Sequence, residues 1–253
     1  MEHELEKALE LFKNKEYSKA IDLFNEILDE SPDNADVLNN LGVAYYNNNE
    51  LTKAIECYKR ALILNNELYE IYLNLGFALY GAKQISDSIP YLETAQQLFP
   101  YNFEVQYTLA KALNQDAQIV RAIDEYERAI LLDPDHADLR ANLAKAYSDN
   151  DRIDSAINEL EKSIELEPNN IRARCFLGDL YLQDDQINQA IKTFLDIIDI
   201  DTNNYYAYKK LGFSYLSISK KAEALGMFNI CQEIKEDKEI EDLINRINKE
   251  IHT

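Results

Sequence analysis

Residues Ala35 to Leu68 read ADVLNNLGVAYYNNNELTKAIECYKRALILNNEL, and this stretch decides the fold. Leu38, Leu41, Gly42 and Tyr45 stand at i, i+3, i+4 and i+7, the spacing that lays one stripe along a helix. Beyond the polar run Asn47 to Glu50, residues Ala54, Tyr58 and Ala61 do the same at i, i+4 and i+7. Two helices joined by a short turn are therefore expected. The pattern returns whenever the frame is moved by 34 residues, and such a period marks stacked units, not one central core.

Seven frames fit without an insertion: 1–34, 35–68, 69–102, 103–136, 137–170, 171–204 and 205–238. Places within a frame are counted from its first residue. Place 8 holds Gly42, Gly76, Gly178 and Gly212 in four frames and Ala in the others. Glycine inside a helix costs about 1 kcal/mol against alanine, so its recurrence implies helices crossing too closely for a side chain. Pro32, Pro100, Pro134 and Pro168 share place 32, where proline is expected to stop the second helix. Pro90 is expected near the start of a second helix, with Ser86 as its cap. Place 18 (Ser18, Thr52, Ser86, Asp154, Asn188) supplies the expected N-caps of second helices. Place 34 (Asn34, Asn102, His136, Asn170, Asn204) supplies those of the following first helices, which gives His136 a capping role instead of a catalytic one. After Lys238 the apolar set Ile240, Leu243, Ile244, Ile247 and Ile251 continues, but Arg246 stands where place 8 would need a small residue. Residues 239–251 read as a terminal capping helix with a charged outer face.

The 253-residue chain has a formal net charge of −20, which argues against nucleic acid and against an anionic membrane surface. No apolar run approaches the roughly 18–20 residues of a membrane span. The N-terminal MEHELEKALELF lacks the apolar core of a signal peptide. Cys57, Cys175 and Cys231 are far apart with no CxxC, so neither a disulfide framework nor a zinc site is indicated, and a reduced, cytoplasmic protein is expected. There is no glycine-rich phosphate loop, HExxH or nucleophile elbow, and two of the three histidines, His3 and His252, lie at the chain ends. No catalysis, cofactor or metal is expected.

A small residue at place 8, Ala at 20, an aromatic or Leu at 24, a small residue at 27 and Pro at 32 resemble the tetratricopeptide repeat, over residues 1–238. Place 4 departs from the family, being Gln106, Arg140 and Arg174 in three frames. Asn66 replaces proline in the second frame, and Lys221 and Ala222 stand where a staple and cap are expected, implying a softer turn. The resemblance implies an all-α, right-handed superhelix of antiparallel helix pairs, a single array over 1–253, with first helices lining a concave groove.

Carried over place by place, the resemblance implies a groove of Phe12, Asn39, Asn40, Val43, Tyr46, Leu73, Asn74, Phe77 and Tyr80 in the first three repeats. Tyr107, Lys111, Asn142, Lys145 and Arg172 follow in repeats four to six, and Lys209 and Lys210 in the seventh. Phe77 and Tyr80 fall off the core stripe, so groove exposure is expected of them. Asn40, Asn74 and Asn142 share place 6, where the family hydrogen-bonds a peptide backbone. Lys111, Lys145 and Arg172 make a basic patch, with Asp138, Asp149 and Asp179 near enough in the grid to neutralise it. The acids at place 2 (Glu2, Asp36, Glu70, Glu104, Asp138) read as favourable charges at helix N-termini, about 0.3–1 kcal/mol each. The family's clamp for a C-terminal carboxylate is not reproduced, since only Asn142 and Arg172 fit it.

The resemblance thus implies a non-catalytic interaction module that grips a peptide or helix of a partner protein, one with acidic residues or a free carboxylate over the basic patch. The alternative is a self-assembling homo-oligomeric scaffold in which one molecule's terminal repeat docks into another's groove. Pro100 to Val105 followed by LAKALNQ is similar to part of a magnetosome-associated scaffold of this family.

Overall fold

The computed structural model describes residues 2–67 and 69–251; Met1, Leu68, His252, Thr253 and the side chain of Ile251 lie outside it. Among the described residues there are fifteen helices and no strand. The first helices of the repeats are α1 (Glu2–Lys13), α3 (Ala35–Asn47), α5 (Tyr69–Gly81), α7 (Phe103–Gln115), α9 (Ala137–Asp149), α11 (Ile171–Gln183) and α13 (Tyr205–Ser217). The second helices are α2 (Tyr17–Glu30), α4 (Leu51–Leu64), α6 (Ile85–Leu98), α8 (Ile119–Leu132), α10 (Ile153–Leu166), α12 (Ile187–Ile200) and α14 (Lys221–Ile234), and α15 (Lys238–Ile251) closes the chain. The chain divides into two compact units, one ending at Pro134 and the other beginning at Asp135. Within each unit a first helix packs on the second helix of its own repeat, and that second helix packs on the next first helix.

The recurring glycines meet the recurring place 24. A Cβ on Gly42 would lie 2.6 Å from the Tyr58 ring, and one on Gly178 the same distance from Phe194. On Gly76 it would lie 2.9 Å from Leu92 Cδ2 and 3.3 Å from that residue's backbone nitrogen. The close crossing inferred from the sequence is therefore a first helix pressed onto the bulkiest side chain of its partner. Tyr58, Leu92, Phe194 and Phe228 are buried to within 1% of complete. Place 27 completes the contact: Ser163 Oγ donates to the Ala137 carbonyl at 2.9 Å, which satisfies a buried hydroxyl.

The caps divide into a success and a correction. Asn34, Asn102, Asn170 and Asn204 each accept from the backbone N–H three residues on, at 3.0–3.1 Å, and His136 Nδ1 accepts from Leu139 at 3.2 Å. Place 18, however, does not cap. Every second helix begins at place 17, and its N-cap is place 16, held by Glu16, Glu50, Gln84, Gln118, Arg152, Gln186 and Lys220 without a side-chain cap bond.

The reason lies in the turn. Lys15, Asn49, Lys83, Ala117, Asp151, Asp185 and Ser219, all at place 15, have φ between 57° and 64°. From there the place 16 N–H reaches back to the place 11 carbonyl, as from Glu50 to Tyr45 at 2.9 Å and from Gln186 to Tyr181 at 2.8 Å. The place 15 N–H reaches place 12, as from Lys15 to Phe12 at 2.9 Å. This pair of bonds is a Schellman ending, usually built on glycine and here built without one. Place 16 both completes that ending and accepts the first bond of the next helix, as Ala54 N to Glu50 O at 3.1 Å. The turn is thus a backbone device with no opening for a side-chain cap at place 18. The seventh repeat keeps it, since α14 starts at Lys221 in register with the others.

Proline is not what ends the second helices. They stop at place 30 in every repeat, including those with Asn66, Thr202 or Glu236 at place 32. In two of these the place 31 side chain makes an Asx turn instead: Asn65 Oδ1 accepts from Glu67 N at 2.9 Å, and Asp201 Oδ1 from Asn203 N at 3.2 Å. Pro90 is a second correction. With Gln84 as the cap, Pro90 is the sixth residue of α6, past the first turn, and withholds the N–H that the Ser86 carbonyl would accept.

The polar residues at place 4 are held across their own repeats. Arg140 Nη1 meets Glu159 Oε2 at 2.6 Å with both side chains under 15% exposed. Gln106 donates to Glu125, which also accepts from Gln96 at 2.6 Å. Arg174 Nη1 meets Asp196 at 3.5 Å in its own repeat and donates to the Pro168 carbonyl of the preceding one at 2.8 and 3.0 Å. At the far end α15 buries Ile240 and Ile247 against α14 and leaves Arg246 exposed. Asp237 pins it, accepting from Tyr205, from Lys209 at 3.1 Å and from the Glu239 N–H at 3.0 Å.

Candidate partner-binding face

In the N-terminal unit the first helices touch one another as well as their second helices: α3 packs on α5, and α5 on α7. Polar and aromatic side chains join them. Asn74 Nδ2 donates to Asn39 Oδ1 at 3.2 Å, and Gln115 Nε2 donates to the Tyr80 hydroxyl at 2.8 Å. α3, α5 and α7 therefore present one continuous face, carrying Val43, Leu73, Phe77 and Tyr80 half-buried and Tyr46 39% exposed; Phe12, on α1, is half-buried as well. Asn39, Asn40 and Asn74 are half-buried on the same face, and burial raises the pKa of Tyr80. Tyr46 apart, every residue of this stripe is half-buried, and none is fully enclosed.

Tyr107 differs. It is buried, with its ring 5.5 Å from Phe103 and 6.2 Å from Tyr126, so it belongs to the packing of α7 on α8. Lys111 lies over two of the rings, 4.2 Å from the centroid of Tyr107 and 5.6 Å from that of Tyr80. Its charge is partly met by those aromatic faces.

In the C-terminal unit Asn142 is half-buried on α9, while Lys145 and Arg172 are exposed. Lys145 pairs with Asp149 one turn on. Arg172 lines a shallow cleft with Asp138, Asn170 and Phe176. Lys210 meets Asp179 at 2.7 Å, and Asp179 also accepts from the Tyr206 hydroxyl. Lys209 is held by Asp237. The lysines carried over as groove cations thus have partners of their own, and Asp149 and Asp179 supply two of them. Sequence spacing anticipated the Lys145–Asp149 pair at i, i+4; the link from Asp179 to Lys210 crosses repeats and left no local signal. Gln115, at place 13, was not singled out, although it ties α7 to the Tyr80 hydroxyl.

Among the described residues no three His, Cys, Asp or Glu side chains gather as a metal site, and no helix is long and apolar enough to cross a membrane. What the geometry offers is a repeated, stripe-bearing helical surface, the hallmark of a protein–protein interaction scaffold. The chain belongs to the tetratricopeptide repeat family, whose models match residues 8–49, 35–67, 114–162 and 149–211. No curated protein sequence matches the chain. Among solved structures, it is similar to the C-terminal part of a TPR repeat-containing protein from Cytophaga hutchinsonii, at 18% identity and TM-score 0.81, covering 94% of this chain and 98% of that one. YrrB, described as a TPR protein with an unusual peptide-binding site, superposes with TM-score 0.63 at 19% identity, covering 74% of this chain and 96% of its own. MamA does so with TM-score 0.63 at 24% identity, over 68% of this chain and 94% of its own.

Proposed function

We propose that the face built by α1, α3, α5 and α7 grips a segment of a partner protein, without catalysis. The observation that carries this reading is the stripe Phe12, Tyr46, Phe77 and Tyr80, four large aromatic side chains left half-buried or exposed on helices whose cores are otherwise closed. Large apolar side chains held between solvent and core gain free energy only when something covers them. Asn39, Asn40 and Asn74 run beside the stripe and offer amide groups to a main chain, which sets no demand on the partner's side chains. The peptide-binding site ascribed to YrrB supports the reading by analogy of fold. Three unbonded cysteines fit a reduced, cytoplasmic setting.

Self-assembly is the competing reading. Against it, α15 covers the last repeat with Ile240 and Ile247, so that end offers no bare apolar flank. Pull-down with the intact chain and with a Tyr46→Ala/Phe77→Ala variant tests the first reading: partners captured by the intact chain should be lost by the variant, and identical capture overturns it. Light scattering over a concentration series tests the second, since a self-assembling scaffold gains mass with concentration and a binding module does not.

A further inference from the structure

The charges on the N-terminal face point to the chemistry of its partner. Asp36, Glu70 and Glu104 are the second residues of α3, α5 and α7, and all three are exposed. They lie one turn before Asn39 and Asn40, Leu73 and Asn74, and Tyr107, on the same side of their helices. Each stabilises its helix terminus, but that role leaves the carboxylate oxygens open to a second charge. None of the three takes part in an ion pair or a side-chain hydrogen bond, and Lys111, the cation on α7, lies over two tyrosine rings. The face therefore pairs an apolar stripe with a row of open carboxylates, in a chain whose net charge is −20.

We propose that the occupant of this face is a cationic amphipathic segment of another protein, with Lys or Arg side chains on the Asp36–Glu70–Glu104 row and apolar side chains over Tyr46, Phe77 and Tyr80. The proposal rests on the binding reading above and gives its partner a sign opposite to the acidic one implied by the family's basic places. Packed helices stand about 8–10 Å apart, so the row repeats on that scale. Cations seven residues apart on a helix, about 10.5 Å, or three apart in a polyproline II segment, about 9.3 Å, match it. A second copy of this chain suits the face less well: α1, with Glu2, Glu4, Glu6 and Glu10 against Lys7 and Lys13, and α15, with its polar outer side, would set acid against acid or present no apolar stripe.

Four synthetic peptides test this: a Leu/Ala helix with lysine at every seventh residue, a proline-rich polyproline II peptide with lysine at every third, and the glutamate counterpart of each. Binding is read by fluorescence anisotropy over a salt series. One lysine peptide should bind at least tenfold more tightly than its glutamate counterpart. Exposed charge pairs are each worth a factor of about two or three, so Asp36→Asn/Glu70→Gln/Glu104→Gln should weaken it about tenfold and flatten its salt dependence. The control Asp22→Asn/Glu56→Gln/Asp124→Asn removes the same charge from exposed positions of α2, α4 and α8, and should change affinity by less than about twofold, the weight of a single exposed pair. Equal losses from both triples would reduce the effect to net charge and overturn the proposal. Tighter binding of a glutamate peptide, lost on Phe77→Ala, would also overturn it while leaving the binding face in place. Failure of all four peptides would overturn it too, with the face itself judged by the pull-down.

Discussion

Gly212 lies so close under the ring of Phe228 that a methyl group on its Cα would overlap the ring. Gly212→Leu should therefore lower the urea midpoint by the equivalent of about 1–3 kcal/mol or more, the cost of overpacking a closed contact. Gly226 in α14 provides the control, because a Cβ there meets nothing within 4 Å. Gly226→Ala should raise stability by up to about 1 kcal/mol through helix propensity alone. Equal responses at the two glycines would remove the packing explanation.

Pro90 sits in the second turn of α6 and leaves the Ser86 carbonyl without its helical donor. An exposed proline in a helix interior costs about 3 kcal/mol, less near the N-terminus. Pro90→Ala should stabilise the chain by about 1–2 kcal/mol on this ground, read from thermal or urea melts. A neutral or harmful outcome would mean that α6 is already bent to suit the ring.

The Arg140–Glu159 pair occupies places that hold Leu38 and Cys57, or Tyr72 and Tyr91, in other repeats. Glu159→Leu alone should cost about 3 kcal/mol, because it strips a nearly buried guanidinium of its carboxylate. Arg140→Leu with Glu159→Leu should return stability to within about 1 kcal/mol of the parent. A double variant as unstable as the single would show that the pair contributes more than mutual neutralisation.

Asp237 holds its pKa at about 2, below the ordinary 3.8, first through the Tyr205 hydroxyl and then through Lys209 and the backbone of Ile240 and Glu239. The sign follows: the stabilisation is complete above about 3.8 and is lost as pH falls through about 2. Hydrogen-exchange protection of residues 238–251 should fall in that window ahead of the rest of its unit. In Asp237→Asn it should be low already at neutral pH, with no further acid step. An unchanged profile in the variant would leave Asp237 as a bystander to α15.

The sequence made some of these features legible and hid others for physical reasons. Gly42, Gly76, Gly178 and Gly212 could be read because only a close crossing justifies glycine in a helix. The caps at Asn34, Asn102, His136, Asn170 and Asn204 could be read because a side-chain cap needs a particular residue type. The second-helix caps could not, because Glu16, Arg152 and Lys220 cap through backbone alone, while Ser18 and Thr52 are as acceptable inside a first turn as before it. The left-handed residues carried no glycine to announce them. On the candidate face, helical spacing put Phe77 and Tyr80 off the core stripe, while Tyr46 came from the family resemblance. The Phe103–Tyr107 and Tyr107–Lys111 contacts are i, i+4 and local, but the closing of Tyr126 over Tyr107 and the reach of Lys111 to Tyr80 and of Lys210 to Asp179 join distant stretches, which no local window reports.

The shared turn has a further consequence, for how such a chain can change its length. One residue ends the first helix and starts the second, so there is no slack to absorb an added or lost position. Deleting Asn49 would swing α4 by about 100° about its axis and carry Ala54, Tyr58 and Ala61 off the seam that Gly42 requires. Deleting or duplicating a whole unit would leave every such seam intact. A chain made this way can grow or shrink by copying entire repeats, and its reach toward a partner then comes in fixed steps.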